Sequence, residues 1–318
     1  MTKPSSQVVS NAGNHSAGDR AILRGLDGGN SLGYLAALGA FRVLSNAMHT
    51  ERVEMRWVRF EGAWRPEIRT GTNVSKDQIV EYIDGALVTD RMEHPSRFID
   101  YKNNNIEANE FYHACRKGES VDAGQSYWIT SLTNDVHPDA TSPLQLTRSD
   151  DFVGNLDQVL RSTTREHIKG TLFEAWRYED ALSGQSLHLE PTEDRRHAYQ
   201  WNKPSGDPNR NKEGNVLGAN RLAVEAFPLF MGLPSNNPAR LLMTGWTGVR
   251  SDDATWTWPI WDVWLSIIVL PSLLGLAELQ DTPIRAESLR ARGIGSVYRS
   301  RRILVEKTPN LTPAIALL

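Results

Sequence analysis

Three segments of this sequence carry residue types that could do chemistry. The first is Gly25-Leu-Asp-Gly28-Gly29-Asn-Ser-Leu-Gly33, running into an apolar stretch. Backbone N–H groups left open at a helix start, behind glycines that permit close approach, form an anion site. Gly28, Gly29, Asn30 and Ser31 are the candidate residues for one. The spacing is neither that of a P-loop nor that of a dinucleotide-binding turn. A tight turn before a well-capped helix explains the same glycines without a ligand.

The second segment lies near the end of the chain. Arg285, Arg290, Arg292, Arg299, Arg301 and Arg302 alternate with Tyr298 and Gly293-Ile-Gly295, and Glu287 is the only acid among them. Guanidinium groups hold phosphates bidentately and stack on bases. These arginines and Tyr298 are therefore the candidate nucleic-acid-binding residues. A solvated charged surface is the competing reading.

The third segment gathers His188, Glu190, Glu193, Asp194 and His197. These are metal-ligand types, but the HExxH spacing is absent and Pro191 interrupts them. Glu193-Asp194-Arg195-Arg196 is a mixed charge run, so a solvated helix start is expected there. A metal-dependent hydrolase using His188, Glu190 and His197 stays open as an alternative. No GxSxG elbow or kinase signature occurs, and His137-Pro138-Asp139 reads as an isolated turn. Cys115 is the one cysteine, which excludes an intramolecular disulfide and a CxxC zinc module. Beside His113 it reads as a structural thiol, at home in a reducing compartment. The expectation is a chain without catalytic residues, metal or cofactor.

The elements that would position these residues follow from periodicity and punctuation. Ala21 to Leu26 reads as a short strand, and Leu32 to Met48 as a helix capped by Asn30 or Ser31. Glu51 to Ile68 alternates as a hairpin turning at Glu61-Gly62. Helices are expected over 75–88, 106–117, 152–160, 164–175 and 220–230, with loops and short strands over 121–147. Leu241 to Trp246 and Trp256 to Trp264 are aromatic strand-like runs, and Ser288 to Val305 mixes arginine with strand formers. The polar stretch 185–215 reads as a long functional or mobile loop and a possible sub-boundary. Elements alternate without βαβ regularity, so the expected class is α+β around one main core. Residues 1–20 read as a flexible leader, leaving 21–318 as one domain.

Composition sets outer bounds. Forty per cent of residues are hydrophobic and 23% charged, as in globular chains. The formal net charge of −3 means that any nucleic-acid contact must come from a local patch. Eight lysines stand against 27 arginines, a skew that genomic base composition also explains. The ten tryptophans suggest aromatic core packing. Val263 to Ala277 is apolar but falls short of the ~20 residues of a membrane span and contains Pro271. It reads as a buried helix, or a strand followed by a helix, and the whole as a cytoplasmic protein without membrane contact.

The segment Leu23 to Leu44, LRGLDGGNSLGYLAALGAFRVL, resembles the opening of proteins from type I-U (I-G) CRISPR loci. The likeness continues through Leu172 to Asp180, Pro191 to Arg195, Gly218 to Phe230, Thr244 to Trp246 and Trp258 to Trp261. It touches most of the chain between residue 21 and about residue 300. None of these motifs is catalytic. The resemblance implies a large or accessory subunit of an RNA-guided antiviral effector complex, without activity of its own. Its implied partners are guide RNA or target DNA and neighbouring protein subunits. A protein-interaction module that binds no nucleic acid is the alternative.

Overall fold

The computed structural model describes residues 19–49, 51–87, 99, 102–103, 130–133, 136, 140–147, 149–181, 184–190, 214–236, 241–248, 254–305 and 308–318. At its centre lies helix α1, Ser31–Ala47. Asn30 takes an extended conformation and its side chain accepts from the Gly33 N–H at 2.9 Å, which starts the helix. Only Arg42 and the last turn of α1 escape burial. A helix apolar on all sides has to be enclosed by other elements.

One side of that enclosure is α5, Leu217–Ala226, itself buried except at Glu225. Gly39 sets their separation, because a Cβ there would collide with the Leu222 carbonyl oxygen. The small Ala36-Ala37-Leu-Gly39-Ala40 surface is therefore a close-approach face rather than a generic apolar one. At the rim of this contact the Glu225 carboxylate sits between two guanidiniums, 3.0 Å from Arg42 Nη1 and 2.6 Å from Arg221 Nη1. Further helices α2 (Lys76–Leu87), α3 (Ser149–Ser162) and α4 (Arg165–Phe173) pack around this pair. Ser75 and Gln78 cap α2 reciprocally, and Thr164 and His167 do the same for α4.

The other side is built from sheet. Strands β1 (Arg20–Ile22), β2 (Glu54–Phe60), β3 (Ala63–Arg69) and β8 (Leu265–Ser266) form an antiparallel sheet in the order β1-β3-β2-β8. The β2–β3 hairpin turns through Glu61 and Gly62, both at positive φ, as a two-residue turn of matching twist requires. Strands β4 (Gly232–Pro234) and β5 (Leu241–Met243) form a separate ribbon. A second sheet runs β10-β9-β7-β6, with β11 also on β9. Its members are β6 (Trp246–Thr247), β7 (Thr255–Trp261), β9 (Ile294–Val305), β10 (Thr308–Leu311) and β11 (Ile315–Ala316). Two short helices, α6 (Leu270–Leu274) and α7 (Ala286–Arg290), complete an α+β fold.

Tryptophan joins the two sheets to α1. Tyr34 stacks on Trp57 of β2 at 5.5 Å between ring centroids, and meets Trp256 and Trp258 of β7 at 6.0 and 5.7 Å. Trp258 Nε1 donates to the Gly28 carbonyl and Trp261 Nε1 to that of Met55. Among the described residues, all the buried apolar side chains except Ala140 and Leu241 form one contiguous cluster.

Several expectations shift. Arg20, assigned to the leader, pairs with Arg69 as the first residue of β1. The helix expected over 220–230 starts at Leu217 and ends at Ala226, where Pro228 forces a 3-10 turn. Of the two readings of Val263 to Ala277, the strand followed by a helix is the one observed. The segment passes from β8 through a 3-10 turn into α6, and Ile268 is 84% exposed. The helix expected over 106–117, with His113 and Cys115, lies outside the described residues, as does His137-Pro138-Asp139.

Candidate nucleic-acid interface

The glycine turn before α1 uses its own donors. Gly28 N–H bonds to the Trp64 carbonyl, Gly29 N–H to Asp27 Oδ1 at 2.8 Å, and Asn30 N–H to the Asp27 carbonyl. Gly33 N–H goes to Asn30. Ser31 Oγ donates to the Leu189 carbonyl, and Asn30 Nδ2 donates to Glu190 Oε1 at 3.1 Å. Glu190 is buried and also accepts from the Tyr178 hydroxyl. The carboxylate beside this helix start is thus the chain's own, which suits the helix dipole. Gly28 is needed for packing, because a Cβ would strike Ile260 and the Trp57 ring. Gly28, Gly29, Asn30 and Ser31 consequently act as a cap and a close-approach turn.

His188 and Glu190 are both buried, at 6% exposed, while the Glu193 to Arg196 run read as a solvated helix start lies outside the described residues. His188 adopts a left-handed backbone at φ 58°, with its N–H on Ser186 Oγ. The Asn220 side chain takes the preceding Leu187 N–H. Buried hydrogen bonds of this kind hold a non-glycine residue in a conformation it otherwise avoids. Glu193, Asp194 and His197 lie outside the described residues. Among the described residues no group of three or more His, Cys, Asp or Glu is placed to hold a metal.

The C-terminal arginines do not form one surface. Strand alternation sends Arg302 inward, 3% exposed, and Arg301 outward. Arg299 is committed to the fold, with Nε on Thr257 Oγ1 at 2.9 Å and Nη2 on the Leu279 carbonyl at 3.1 Å. Burial pushes its pKa down. Arg285 pairs with Asp281 and Arg292 with Glu278, both on the surface, while Arg290 and Arg301 are exposed. Tyr298 turns the other way altogether. Its ring lies against Gly29 and stacks on Trp258 at 6.1 Å, so it belongs to the glycine turn. Burial raises the Tyr298 hydroxyl pKa, against the opposing pull of Arg59.

A different basic surface emerges from the first sheet. Register sets Arg20, Arg69, Glu54 and Ser266 abreast on its outer face, then Ile22, Glu67 and Arg56, then Arg65 and Val58, then Ala63 and Phe60. Trp264, just before β8, completes it. The guanidinium carbons of Arg69, Arg56 and Arg20 lie 4.5, 4.6 and 5.5 Å from the Trp264 ring centroid. Arg24 lies over Phe60 at 4.9 Å. Cations held over aromatic faces gain quadrupole attraction and lose freedom.

Two buried carboxylates organise this face. Glu67 takes Arg56 Nε at 2.6 Å, and Glu54 is shared between Arg69 and Arg52, the latter at 2.8 Å. Arg65 Nη1 donates to the Leu26 carbonyl. Arg20, Arg24, Arg52, Arg56, Arg65 and Arg69 outnumber Glu54, Glu67 and Asp19, so this face is positive on a chain of net charge −3. Sequence reading passed over it because the arginines come from three strands and their central ring from residue 264. The available signal was the charged alternation of β2 and β3, Glu54, Arg56 and then Arg65, Glu67, Arg69. No helix among the described residues is long and apolar enough to cross a membrane. No protein-family model and no curated protein matches this chain.

Proposed function

We propose that this protein is a non-catalytic, cytoplasmic subunit of an RNA-guided CRISPR effector complex acting in antiviral defence. Its part is to hold the backbone of guide RNA or target DNA while base pairing reads the sequence. The observation that carries this reading is the arginine-rich outer face of the β1-β3-β2-β8 sheet, where Arg20, Arg56 and Arg69 are held over Trp264 and Arg24, Arg52 and Arg65 supply the excess over Asp19, Glu54 and Glu67. The resemblance of Leu23 to Leu44 and the later motifs to type I-U proteins supports the assignment to such a complex. Val263, Ile268 and Val269 expose apolar surface beside the same sheet and offer a contact for a neighbouring subunit. Those residues equally favour the second reading, a protein-interaction module without nucleic acid.

The two readings part in a salt series. Anisotropy titrations with labelled RNA and DNA should show affinity falling steeply as salt rises, since each neutralised phosphate releases counterions. The double substitution Arg56→Gln, Arg69→Gln should flatten the log–log slope by about 1.4 on single strands, near 0.7 per lost contact, and by about 1.8 on duplex DNA. A chain that ignores both nucleic acids at low salt while retaining partner subunits would establish the interaction module instead.

A further inference from the structure

We infer that the outer face of the β1-β3-β2-β8 sheet takes single-stranded nucleic acid, stacking unpaired bases on the Trp264–arginine cluster and on the Arg24–Phe60 pair. This rests on the nucleic-acid reading above and adds to it the strandedness of the ligand.

Three observations carry the inference. The first is that the face holds two flat cation–aromatic units rather than scattered charges. Trp264 is surrounded by Arg20, Arg56 and Arg69, and Phe60 is covered by Arg24. Phe60 follows Arg56 by four residues on one face of β2, which separates the two units by about 13 Å along the strand. Aromatic rings and guanidinium planes both stack bases, but only bases that are splayed out of a helix. A duplex keeps its bases stacked on each other and offers this face only its phosphates.

The second observation is the way the arginines are anchored. Arg56 is fixed to Glu67 through Nε, and Arg69 to Glu54 through Nε and Nη2. Among the described residues, the Arg56 Nη atoms and Arg69 Nη1 donate no hydrogen bond. The carboxylates therefore fix each guanidinium plane while an N–H edge stays available to a phosphate. Such preorganisation lowers the ordering cost of binding.

The third is exposure. Trp264, Phe60, Arg56 and Arg69 are all half-buried, so each is held by neighbours and still meets solvent. Among the described residues, the half-buried Trp64 and Trp176 pack against the hydrophobic core, whereas Trp264 does not.

The test uses the full chain and short labelled strands of equal length: single-stranded RNA, single-stranded DNA, their duplexes, and an abasic strand with the same phosphates. Intact single strands should bind more tightly than the abasic strand, by roughly fivefold or more per stacked base. Trp264→Ala and Phe60→Ala should each weaken intact strands by more than they weaken the abasic strand, shrinking that gap, and Trp264→Phe should restore much of it. A preference for RNA or for DNA supports the inference either way and names the sugar. Equal affinity for intact and abasic strands, or tighter binding of duplexes, overturns the stacking while leaving the backbone reading standing. Loss of every strand to an acidic polypeptide competitor at low excess, with no difference between intact and abasic strands, overturns it as well. Failure to bind any nucleic acid sinks both.

Discussion

Tyr34 lies wholly buried among Trp57, Trp256 and Trp258, and among the described residues its hydroxyl has no hydrogen-bond partner. A buried polar group left unsatisfied costs about 1–3 kcal/mol. Tyr34→Phe keeps the ring stack and removes that cost, so the variant should match or exceed the native stability in urea. Burial also pushes the hydroxyl pKa well above 10.0. The unfolded chain releases this proton near pH 10 and the native chain keeps it. Stability present below that pH is therefore lost as pH rises through and beyond it. Tyr34→Phe should flatten this alkaline decline, read as the urea midpoint between neutrality and pH ~11. An unchanged decline would place its origin elsewhere. A second residue-scale contrast separates neighbours on β9. Arg302→Glu inverts a buried charge and should cost about 3 kcal/mol or more. Arg301→Glu, on the outward side, should stay within about 0.5 kcal/mol. Chemical denaturation of the two variants side by side measures the difference.

Among the elements, α1 and α5 depend on distance more than on hydrophobicity. Gly39→Ala raises helix propensity, yet its methyl meets the Leu222 carbonyl oxygen. Overpacking should win, with a loss of about 3 kcal/mol seen in thermal unfolding. A stabilised variant would mean that the two helices separate at little cost. The helices and the first hairpin were the readable part of this sequence, because local chemistry marks them. Asn30, Ser75 and Thr164 cap helices through bonds within their own first turns. Glu61-Gly62 closes its hairpin through its own backbone angles. Among the short strands, β5 falls inside the strand-like run Leu241 to Trp246, but β4 was not readable in this way and the bounds of β6 and β8 were not either. Two or three residues carry no periodicity, and their conformation comes from a partner strand far along the chain, as Leu265 takes its place beside Met55.

At the scale of the whole molecule, charge among the described residues is segregated. A chain of net charge −3 concentrates arginine on one sheet face and disperses it near the C-terminus among Asp281, Glu278 and backbone carbonyls. Reversal of the exposed Arg290 and Arg301 should accordingly change the salt dependence of nucleic-acid binding less than neutralising Arg56 and Arg69 does. A larger effect from the C-terminal pair would return the interface to that end. The candidate site was half legible. The glycine turn, Tyr298 and the arginine runs all stood out as residue types, but what each one faces did not. Tyr298 proved to belong with Gly29, Glu190 with Asn30, and Trp264 with arginines from three strands. The sequence by itself determined the class, the caps, the first hairpin and the buried character of α1, since these depend on neighbours a few residues apart. Only tertiary structure decided which arginines are held inside and which present a surface. That choice depends on strand register, where a shift of one residue exchanges the two faces, and on pairings between residues more than two hundred positions apart.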